Sequence, residues 1–571
     1  MKEKMVQLKK LFISTGYQKK IIFIFFLIAF SYIFELASSF YFTNNIVNIQ
    51  IPAGNIQKII LLAVCYIVTM MITCYLVLSH CVLRFKVIRQ LNCKIRNEIF
   101  MKLQKVNAKF YDTHSTGEIL QLISQDAENA ANLFPKIFVE MYGIGMLEFL
   151  ILCTFFLFIN ITITILIITI YLIGYFITIV LNKKTIRYLK TLRKINIEIY
   201  DQINQALKGF IEIKCLGIEE EKLQEFEEVL EKYNKSQLKL EKVMRTYNFF
   251  FSIISSFSIV IITILGGESL INGTLSYGAF MLFINSLGEF KGCFRWAIRR
   301  ITEFNQSYIA FVKIIKFLQE EMEDDTKGKC LEEIESMEFK NVSYFYQEKE
   351  IVIDHFNLSV DSKEKIALVG KTGSGKSTIV KLICRLYEPK SGHILINGED
   401  YTNYTIKSLR SKIGYVMQET SLVQNTIIDN IRYANPKITL KEIESIFQKL
   451  QLHEKIQSLK EGYHTDIYHQ PDILSEGQRQ MIHFARVMAM NSEIVILDEF
   501  TSSLSYEAEE LLKNAVKIIT KNRISFIIAH RLSTIQNADK IILLEKGKVI
   551  EAGKHEELLQ QRGKYYKLVH S

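Results

Sequence analysis

The chain has 571 residues and a mass of 66.4 kDa, and 49% of its residues are hydrophobic. This apolar content excludes a disordered or collagen-like protein, and a mean hydropathy of +0.14 is unusual for a cytosolic enzyme. The net charge of +10 is compatible with nucleic-acid binding. The nine cysteines contain no CxxC pair, so neither a disulfide framework nor a zinc site is predicted.

Six apolar stretches in the first 300 residues predict membrane-spanning helices, each of which needs about 20 residues. Three of the six contain no charged residue, which makes buried helices of a soluble core a poor alternative. The first stretch is too long for a cleaved signal peptide, so it is predicted to remain as an anchor. The stretches are 21–42, 59–78, 137–159, 161–181, 247–267 and a weaker one from Tyr277.

The basic residues between these stretches predict the orientation of the chain in the membrane. Residues 1–20 contain six Lys or Arg, residues 84–132 contain eight, and residues 182–246 contain fourteen. The alternate connections, 43–58, Asn160 and 268–276, contain one, none and none. Both termini and both long loops are therefore predicted to be cytoplasmic. The basic balance then needs no nucleic-acid partner, and none is predicted because no basic–aromatic platform is present.

The two long cytoplasmic connections are apolar at helical spacing, so the spans are predicted to continue as helices over 83–109 and 183–207. Short breaks around 112–117 and 208–217 reverse the chain. These reversals are either contact points for a soluble domain or the tips of solvated helical hairpins.

A glycine-rich segment follows a short apolar strand in the last 250 residues and matches GxxxxGK[ST]. Such a segment closes its backbone N–H groups around phosphate, and the helix that follows adds its dipole. Lys376 is expected to reach the β- and γ-phosphates and Ser377 to bind Mg²⁺. A chance glycine-rich turn is the alternative. The predicted nucleotide-binding residues here are Gly370, Lys371, Thr372, Gly373, Ser374, Gly375, Lys376, Ser377 and Thr378.

A second apolar strand, 494–497, ends in the acidic pair Asp498-Glu499. The first carboxylate is well placed to hold Mg²⁺, and the second to polarise the attacking water as a general base. An acidic pair at a strand end is often only a solvated turn, but the upstream phosphate loop favours the catalytic interpretation.

Further segments in this half of the chain resemble the motifs of ATP-binding cassette (ABC) proteins. The segment 474–480, Leu-Ser-Glu-Gly-Gln-Arg-Gln, looks like their signature motif, 415–418 like their Q-loop, and 528–533 like their H-loop. Tyr346 matches the aromatic residue that stacks on adenine. Residues 1–325 resemble the six-helix exporter module, and the segments 110–118 and 209–217 look like its two coupling helices.

The resemblance implies a role for each matching residue. Gln418 would sense the metal and the water, Glu499 would activate the water, and His530 would contact the γ-phosphate. Ser377, Gln418 and Asp498 would be associated with Mg²⁺. Ser475, Gly477 and Gln478 would contact the ATP held by a second cassette, so a dimer would be needed to complete a hydrolysis site.

Three departures from the family pattern bear on that dimer. Glu476 stands where the signature usually has Gly, and Ser505 occupies the place of the usual Asp in the D-loop. Tyr468, His469 and Pro471 replace the expected Gly, Glu and Gly. The departures suit either drift in a working homodimer or a heterodimer with a similar half-transporter in which this chain presents a weak signature.

The predicted fold is a six-span α-helical transmembrane domain over 1–325, followed by an α/β P-loop NTPase domain of the cassette type over 326–571. The predicted function is ATP- and Mg²⁺-dependent export of a peptide, drug-like or lipid-like substrate by alternating access, in a bacterial inner membrane. An importer on the same fold and a non-transporting nucleotide sensor are the alternatives. The charged residues inside predicted spans either face a substrate cavity or pair between helices; they are Glu35, Glu140, Glu148, Glu289, Lys291 and Arg295. Glu140 and Glu148 are eight residues apart, about 80° around an α-helix, so both could face one cavity.

Overall fold

The computed structural model describes residues 17–323, 325, 328–346, 351–417, 422, 426–467, 473–498, 506–528 and 535–570. Within it the chain divides into two compact units. The first contains the chain up to Lys105 and His114–Glu320, and the second contains Val106–Thr113 together with Glu321–Ser571.

The first unit is helical throughout, as the scarcity of Pro and the long apolar runs predict. Its helices are α1 Gln18–Asn45, α2 Ile56–Leu103, α4 Thr116–Gln121, α5 Ala127–Asn132, α6 Glu148–Ile159, α7 Ile161–Lys208, α8 Phe210–Leu216, α9 Glu219–Ile261, α10 Gly267–Ile271 and α11 Tyr277–Leu318. Four π-helical segments continue or join them: Ile46–Gln50, Leu122–Asp126, Leu133–Leu147 and Ile262–Gly266.

Polar caps fix where three of the long helices begin. The side chains of Asn55, Asn160 and Ser276 accept hydrogen bonds from the first-turn amides of α2, α7 and α11, at 3.1–3.2 Å. Such caps satisfy amides that have no partner within the helix. Asn160 is therefore the whole connection between α6 and α7, as the sequence predicted.

The membrane character of this unit follows from length and composition. Among the described residues, three helical stretches are long and apolar enough to cross a bilayer, and two shorter apolar helices accompany them. The three are Gln18–Gln50, Ile56–Leu103 and Glu219–Ile271, and the two are Gly145–Ile159 and Ile161–Gly174. Each predicted span lies on a helical segment, which is consistent with six spans.

A buried ion pair joins α2 to the segment Leu133–Leu147. Nη1 of Arg84 lies 3.0 Å from Oε1 of Glu140, and the two side chains are only 9% and 4% exposed. Glu148, by contrast, interacts electrostatically with Glu35 and Glu289. Glu140 and Glu148 therefore face different surroundings. Spacing on an ideal α-helix suggested one shared face, but a π-helix has i→i+5 hydrogen bonds and a different rotation per residue.

The second unit contains two sheets. A four-stranded antiparallel sheet has the order β2-β1-β4-β5, and a six-stranded sheet has the order β10-β9-β3-β8-β7-β6 with parallel pairing from β9 through β6. The strands are β1 Ser336–Phe345, β2 Ile351–Asp361, β3 Lys365–Val369, β4 Ser391–Ile396, β5 Glu399–Asp400, β6 Ile413–Val416, β7 Ile494–Asp498, β8 Ile524–Ile528, β9 Lys540–Glu545 and β10 Lys548–Gly553.

Helices cover both faces of the six-stranded sheet, so its central strands β3, β7 and β8 are buried along their whole apolar length. Alternate residues of these strands belong to two hydrophobic cores, one on each face. The helices are α3 Ala108–Thr113, α12 Lys376–Ile383, α13 Ile406–Ser411, α14 Ile427–Arg432, α15 Leu440–Lys449, α16 His453–Gln457, α17 Glu476–Met490, α18 Tyr506–Ile519, α19 His555–Gln560 and α20 Lys564–His570.

The short helix α3 belongs to this second unit, although it lies between α2 and α4 in sequence. Val106 forms a β-bridge with Met322, and the amide of Asn107 donates to the carbonyl oxygen of Glu321 at 3.4 Å. Ala108 packs against the core that includes β3 and α12. The segment 106–108 therefore packs as part of the α/β unit, whereas the predicted reversal over 112–117 is exposed.

Candidate nucleotide-binding site

The glycine-rich loop leaves the carboxyl end of the buried strand β3 and leads directly into α12. Gly370, Gly373 and Gly375 have φ angles of +154°, +81° and +106°, where other residues are strained. A Cβ on Gly370 would lie 2.3 Å from the carbonyl oxygen of Leu544, so only glycine fits there. The loop therefore brings bare backbone to the start of a helix, as a phosphate site requires.

Two side chains of this loop indicate that it fits a phosphate. The ammonium of Lys376 is buried and donates to the carbonyl oxygens of Gly370 and Lys371, at 2.7 and 3.1 Å. The hydroxyl of Ser374 is buried with no hydrogen-bond partner among the described residues. A buried hydroxyl without a partner is costly, and a phosphate oxygen would satisfy it. The loop thus fits a polyphosphate.

The acidic residue predicted to hold Mg²⁺ lies at the same edge of the sheet. Leu368 of β3 and Asp498 of β7 both pair with Ile528 of the intervening strand β8, so they lie level, two strands apart. Two strand spacings are about 9.5 Å, and the loop begins just beyond Leu368. Asp498 is therefore at the phosphate-loop edge, buried to 9% exposure, while Ser377 is exposed at the start of α12.

Tyr415 holds the carboxylate of Asp498. Its hydroxyl donates to Oδ2 of Asp498 at 3.0 Å from the neighbouring strand β6. Burial and the carboxylate both raise the pKa of the Tyr415 phenol, so it stays a donor at neutral pH. One oxygen of Asp498 thus has a fixed donor. The donor set of one strand-end carboxylate and a helix-start hydroxyl is the kind that Mg²⁺ takes alongside phosphate oxygens and water.

The predicted adenine platform, Tyr346, lies against the helix of the phosphate loop. Its hydroxyl is 3.2 Å from Oγ1 of Thr378, and its ring is 40% exposed. The ammonium of Lys381 lies 5.5 Å from the centre of this ring and 5.4 Å from that of Tyr387. It also lies 3.8 Å from Oδ1 of Asp112 in α3. A single lysine therefore contacts both the predicted adenine platform and the first predicted coupling helix.

The signature segment begins helix α17. The hydroxyl of Ser475 accepts from the amide of Gln478 at 3.3 Å, and the amide of Ser475 donates to Oε1 of Gln478 at 3.0 Å. This reciprocal cap fixes the start of the helix and occupies the side chain of Gln478. Ser475 and Glu476 are exposed, whereas Gly477 is buried.

Several predicted residues lie outside the described part of the chain. They are Gln418, Glu499 and His530, together with the departures Tyr468, His469, Pro471 and Ser505. Their roles stay predictions from the sequence. In the described ranges, the loop 370–378, Asp498 and Tyr346 belong to one unit, and the phosphate loop and Asp498 share one sheet edge.

Sequence reasoning missed two residues of this site. Tyr415 belongs to the predicted Q-loop segment, and a tyrosine on the strand beside an acidic strand end is also a candidate hydrogen-bond donor to that acid. Lys381 stands five residues after Lys376 on the outer face of α12 and gave no signal. Its contacts with Tyr346 and Asp112 join residues that are distant in sequence, whereas Tyr387 follows only six residues later.

Two family models match the chain. The model described as "ABC transporter transmembrane region" matches residues 21–290, and the model described as "ABC transporter" matches residues 353–502. Together they cover more than half of the chain. They divide between the helical unit and the unit that carries the phosphate loop.

Curated relatives cover most of the chain and of their own length. A putative multidrug export ATP-binding/permease protein of Bacillus subtilis is 31% identical over 82% of this chain and 82% of its own. An ATP-dependent lipid A-core flippase of Syntrophus aciditrophicus is 31% identical over 83% and 79%.

A solved structure shares the fold along nearly the full chain. A bacterial Atm1-family ABC exporter with ATP bound superimposes with a TM-score of 0.85 at 20% identity, over 97% of this chain and 99% of that one. Fold, family models and relatives agree: the chain belongs to the ABC transporters, as an exporter-type half-transporter that fuses one membrane region to one ATP-hydrolysing cassette.

Proposed function

We propose that two such half-transporters form a dimer that exports an amphipathic substrate across the bacterial inner membrane by alternating access. The observation that carries the dimer is the exposed start of α17. Ser475 caps that helix, yet it and Glu476 face solvent, and no described residue of this chain covers them. The helix start is free to contact a nucleotide held by a second cassette.

ATP drives the cycle in this proposal, with Mg²⁺ held by Ser377, Asp498 and Gln418. Lys376 and the loop amides bind the phosphates, Tyr346 stacks on adenine, and His530 contacts the γ-phosphate. Glu499 accepts a proton from the attacking water. The membrane domain is proposed to extend to residue 325 and the cassette to follow, with both termini cytoplasmic as the basic loops predict.

An amphipathic substrate is supported by the relatives, whose names give multidrug and lipid A-core substrates. The experiment is transport in inside-out vesicles, using a fluorescent amphipathic dye as the probe. Export predicts ATP-dependent dye accumulation that the Glu499→Gln variant abolishes. Dye accumulation only in right-side-out vesicles would establish an importer. ATP hydrolysis without dye movement in either orientation would contradict the proposal that the protein transports amphipathic substrates.

A further inference from the structure

A cavity of about 200 Å³ lies between α1, α2, α6 and α11 of the helical unit. Its wall combines two carboxyl groups, a phenol, two serine hydroxyls and an amide with aromatic and apolar side chains. The members used below are Glu35, Tyr66, Phe155, Ser286 and Glu289. The volume is below the usual range for a whole drug-sized ligand, so it suits a small molecule or one head group of a larger one.

The polar residues of the cavity lie well inside their helices. Glu35 stands 15 residues before the end of the helical stretch Gln18–Gln50, and Tyr66 stands ten residues after the start of α2 at Ile56. Glu289 stands twelve residues after the start of α11. At a rise of 1.5 Å per residue, these positions are about 15–22 Å from the helix ends. Such distances are within the thickness of a hydrocarbon core, which is about 30 Å.

The carboxyl groups around the cavity have no basic partner within the described part of the chain. Glu148 interacts electrostatically with Glu35 and Glu289, and no Lys, Arg or His among the described side chains forms an ion pair with any of the three. Glu289 accepts a hydrogen bond from the hydroxyl of Tyr32 at 2.9 Å. Carboxylates inside a membrane are costly, so a cation is the natural occupant of the space between them.

A second polar group points to a ligand independently of the carboxylates. Ser286 is only 5% exposed and lines the cavity, and its hydroxyl has no hydrogen bond to any described residue. A buried hydroxyl normally has a partner. Because Ser286 lines the cavity, a polar group of a bound molecule could form a hydrogen bond with its hydroxyl.

The apolar part of the wall decides the chemical class. Phe155 and Tyr66 present aromatic rings next to the carboxylates, and aromatic faces attract organic cations as well as apolar groups. An organic cation gains apolar contact with these rings in addition to the attraction of its charge, which an inorganic cation does not. We propose that this cavity binds the cationic aromatic group of the exported substrate, with Glu35 and Glu289 as its counter-ions and Ser286 as its hydrogen-bond partner.

This proposal rests on the export function proposed above, and direct binding tests it separately. The purified full chain in lipid nanodiscs is titrated with radiolabelled N-methyl-4-phenylpyridinium, and with its uncharged isostere 4-methylbiphenyl. Glu35→Gln combined with Glu289→Gln should weaken cation binding at least tenfold and change binding of the isostere less than twofold. Glu268→Gln, at an exposed carboxylate in the same unit, is the matched control and should change neither.

Retained basal ATP hydrolysis shows that a variant is folded. If the double variant does not fold, Glu35→Gln and Glu289→Gln are measured separately. Ser286→Ala should weaken cation binding a few-fold. Unchanged cation binding in the carboxylate variants, or equal losses for the cation and the isostere, would overturn the cavity assignment. Charge-selective binding without ATP-dependent movement of the cation would leave the cavity assignment intact and overturn the export function.

Discussion

Lys376 shows how a single side chain can be prepared for a ligand. Its ammonium is buried and satisfied by two loop carbonyls, so the loop keeps its shape before nucleotide binds. A negatively charged phosphate would compete with the two carbonyl oxygens for this ammonium. Hydrogen bonds to charged acceptors are roughly twice as strong as those to neutral ones. The residue therefore stabilises the empty loop and still favours the bound state.

Lys376→Ala should weaken ATP binding at least tenfold, because it removes a charge-assisted contact worth about 1.5–3 kcal/mol. The measurement is a titration of purified protein with a fluorescent ATP analogue. Lys371→Ala removes an exposed lysine from the same loop and keeps the backbone amide, so it should change the affinity less than threefold. Equal losses in the two variants would mean that general positive charge, and not the position of Lys376, binds the phosphates.

The ion pair of Arg84 and Glu140 is a second case in which burial determines the outcome. Both side chains are almost fully removed from solvent, so neither charge can be left without the other at low cost. Glu140→Gln should destabilise the protein by about 3–5 kcal/mol, measured as a lower thermal unfolding midpoint in detergent. Replacing both residues with Met should cost less than the single change. A double variant less stable than Glu140→Gln would show that the pair itself contributes net stability.

At the scale of elements, strand order and register could be anticipated only in part from the sequence. The phosphate loop, the acidic strand end and the helical spans follow from local patterns of residues, and each lies on the predicted kind of element. The sequence does not predict that Leu368 and Asp498 lie level with each other. Their alignment depends on the register of both strands with β8, which follows them later in the chain. The π-helical segment Leu133–Leu147 also escaped prediction, because hydrophobic spacing does not distinguish 3.6 residues per turn from a wider helix.

The contacts of Lys381 connect two elements, α12 of the cassette and the short helix α3. An exposed cation–π contact is worth about 0.5–1 kcal/mol and a partly exposed ion pair about 0.2–1 kcal/mol. These values are small, but both contacts use one ammonium. A substitution at Asp112 should therefore change how Lys381 contacts the ring of Tyr346, on which adenine is proposed to stack.

A double-mutant cycle tests this link. Asp112→Asn should change the KM for ATP by about two- to fivefold in the wild-type background, and the change should disappear when Lys381 is replaced by Met. The readout is steady-state ATP hydrolysis. Lys390→Met is the matched control, because Lys390 lies 6.0 Å from the ring of Phe345 and does not contact Tyr346. Additive effects of Asp112→Asn and Lys381→Met would show that the two residues act separately.

At the scale of the whole molecule, the altered signature distinguishes the two dimers. In a homodimer both ATP sites contain Glu476, whose carboxylate repels a nearby γ-phosphate. Glu476→Gly should then increase hydrolysis several-fold in the protein purified alone, because one like-charge contact at a partly exposed site is removed.

A heterodimer predicts the opposite pattern. The chain purified alone should hydrolyse little ATP with either residue at position 476, and activity should appear only when a similar half-transporter with an unaltered signature is added. Cooperative hydrolysis by this chain alone, shown to be a homodimer by its mass in nanodiscs, would exclude that arrangement.

The length of α2 has a mechanical consequence. With 48 residues it extends for about 72 Å, more than twice the thickness of the hydrocarbon core, so about 40 Å continues beyond the membrane. A continuous helix of that reach acts as a lever: a tilt of only about 5° within the bilayer displaces its far end by about 3–4 Å. Val106, which pairs with Met322, follows three residues after that end. A small tilt of α2 within the bilayer is therefore enlarged at the end of the helix that precedes Val106 in the chain.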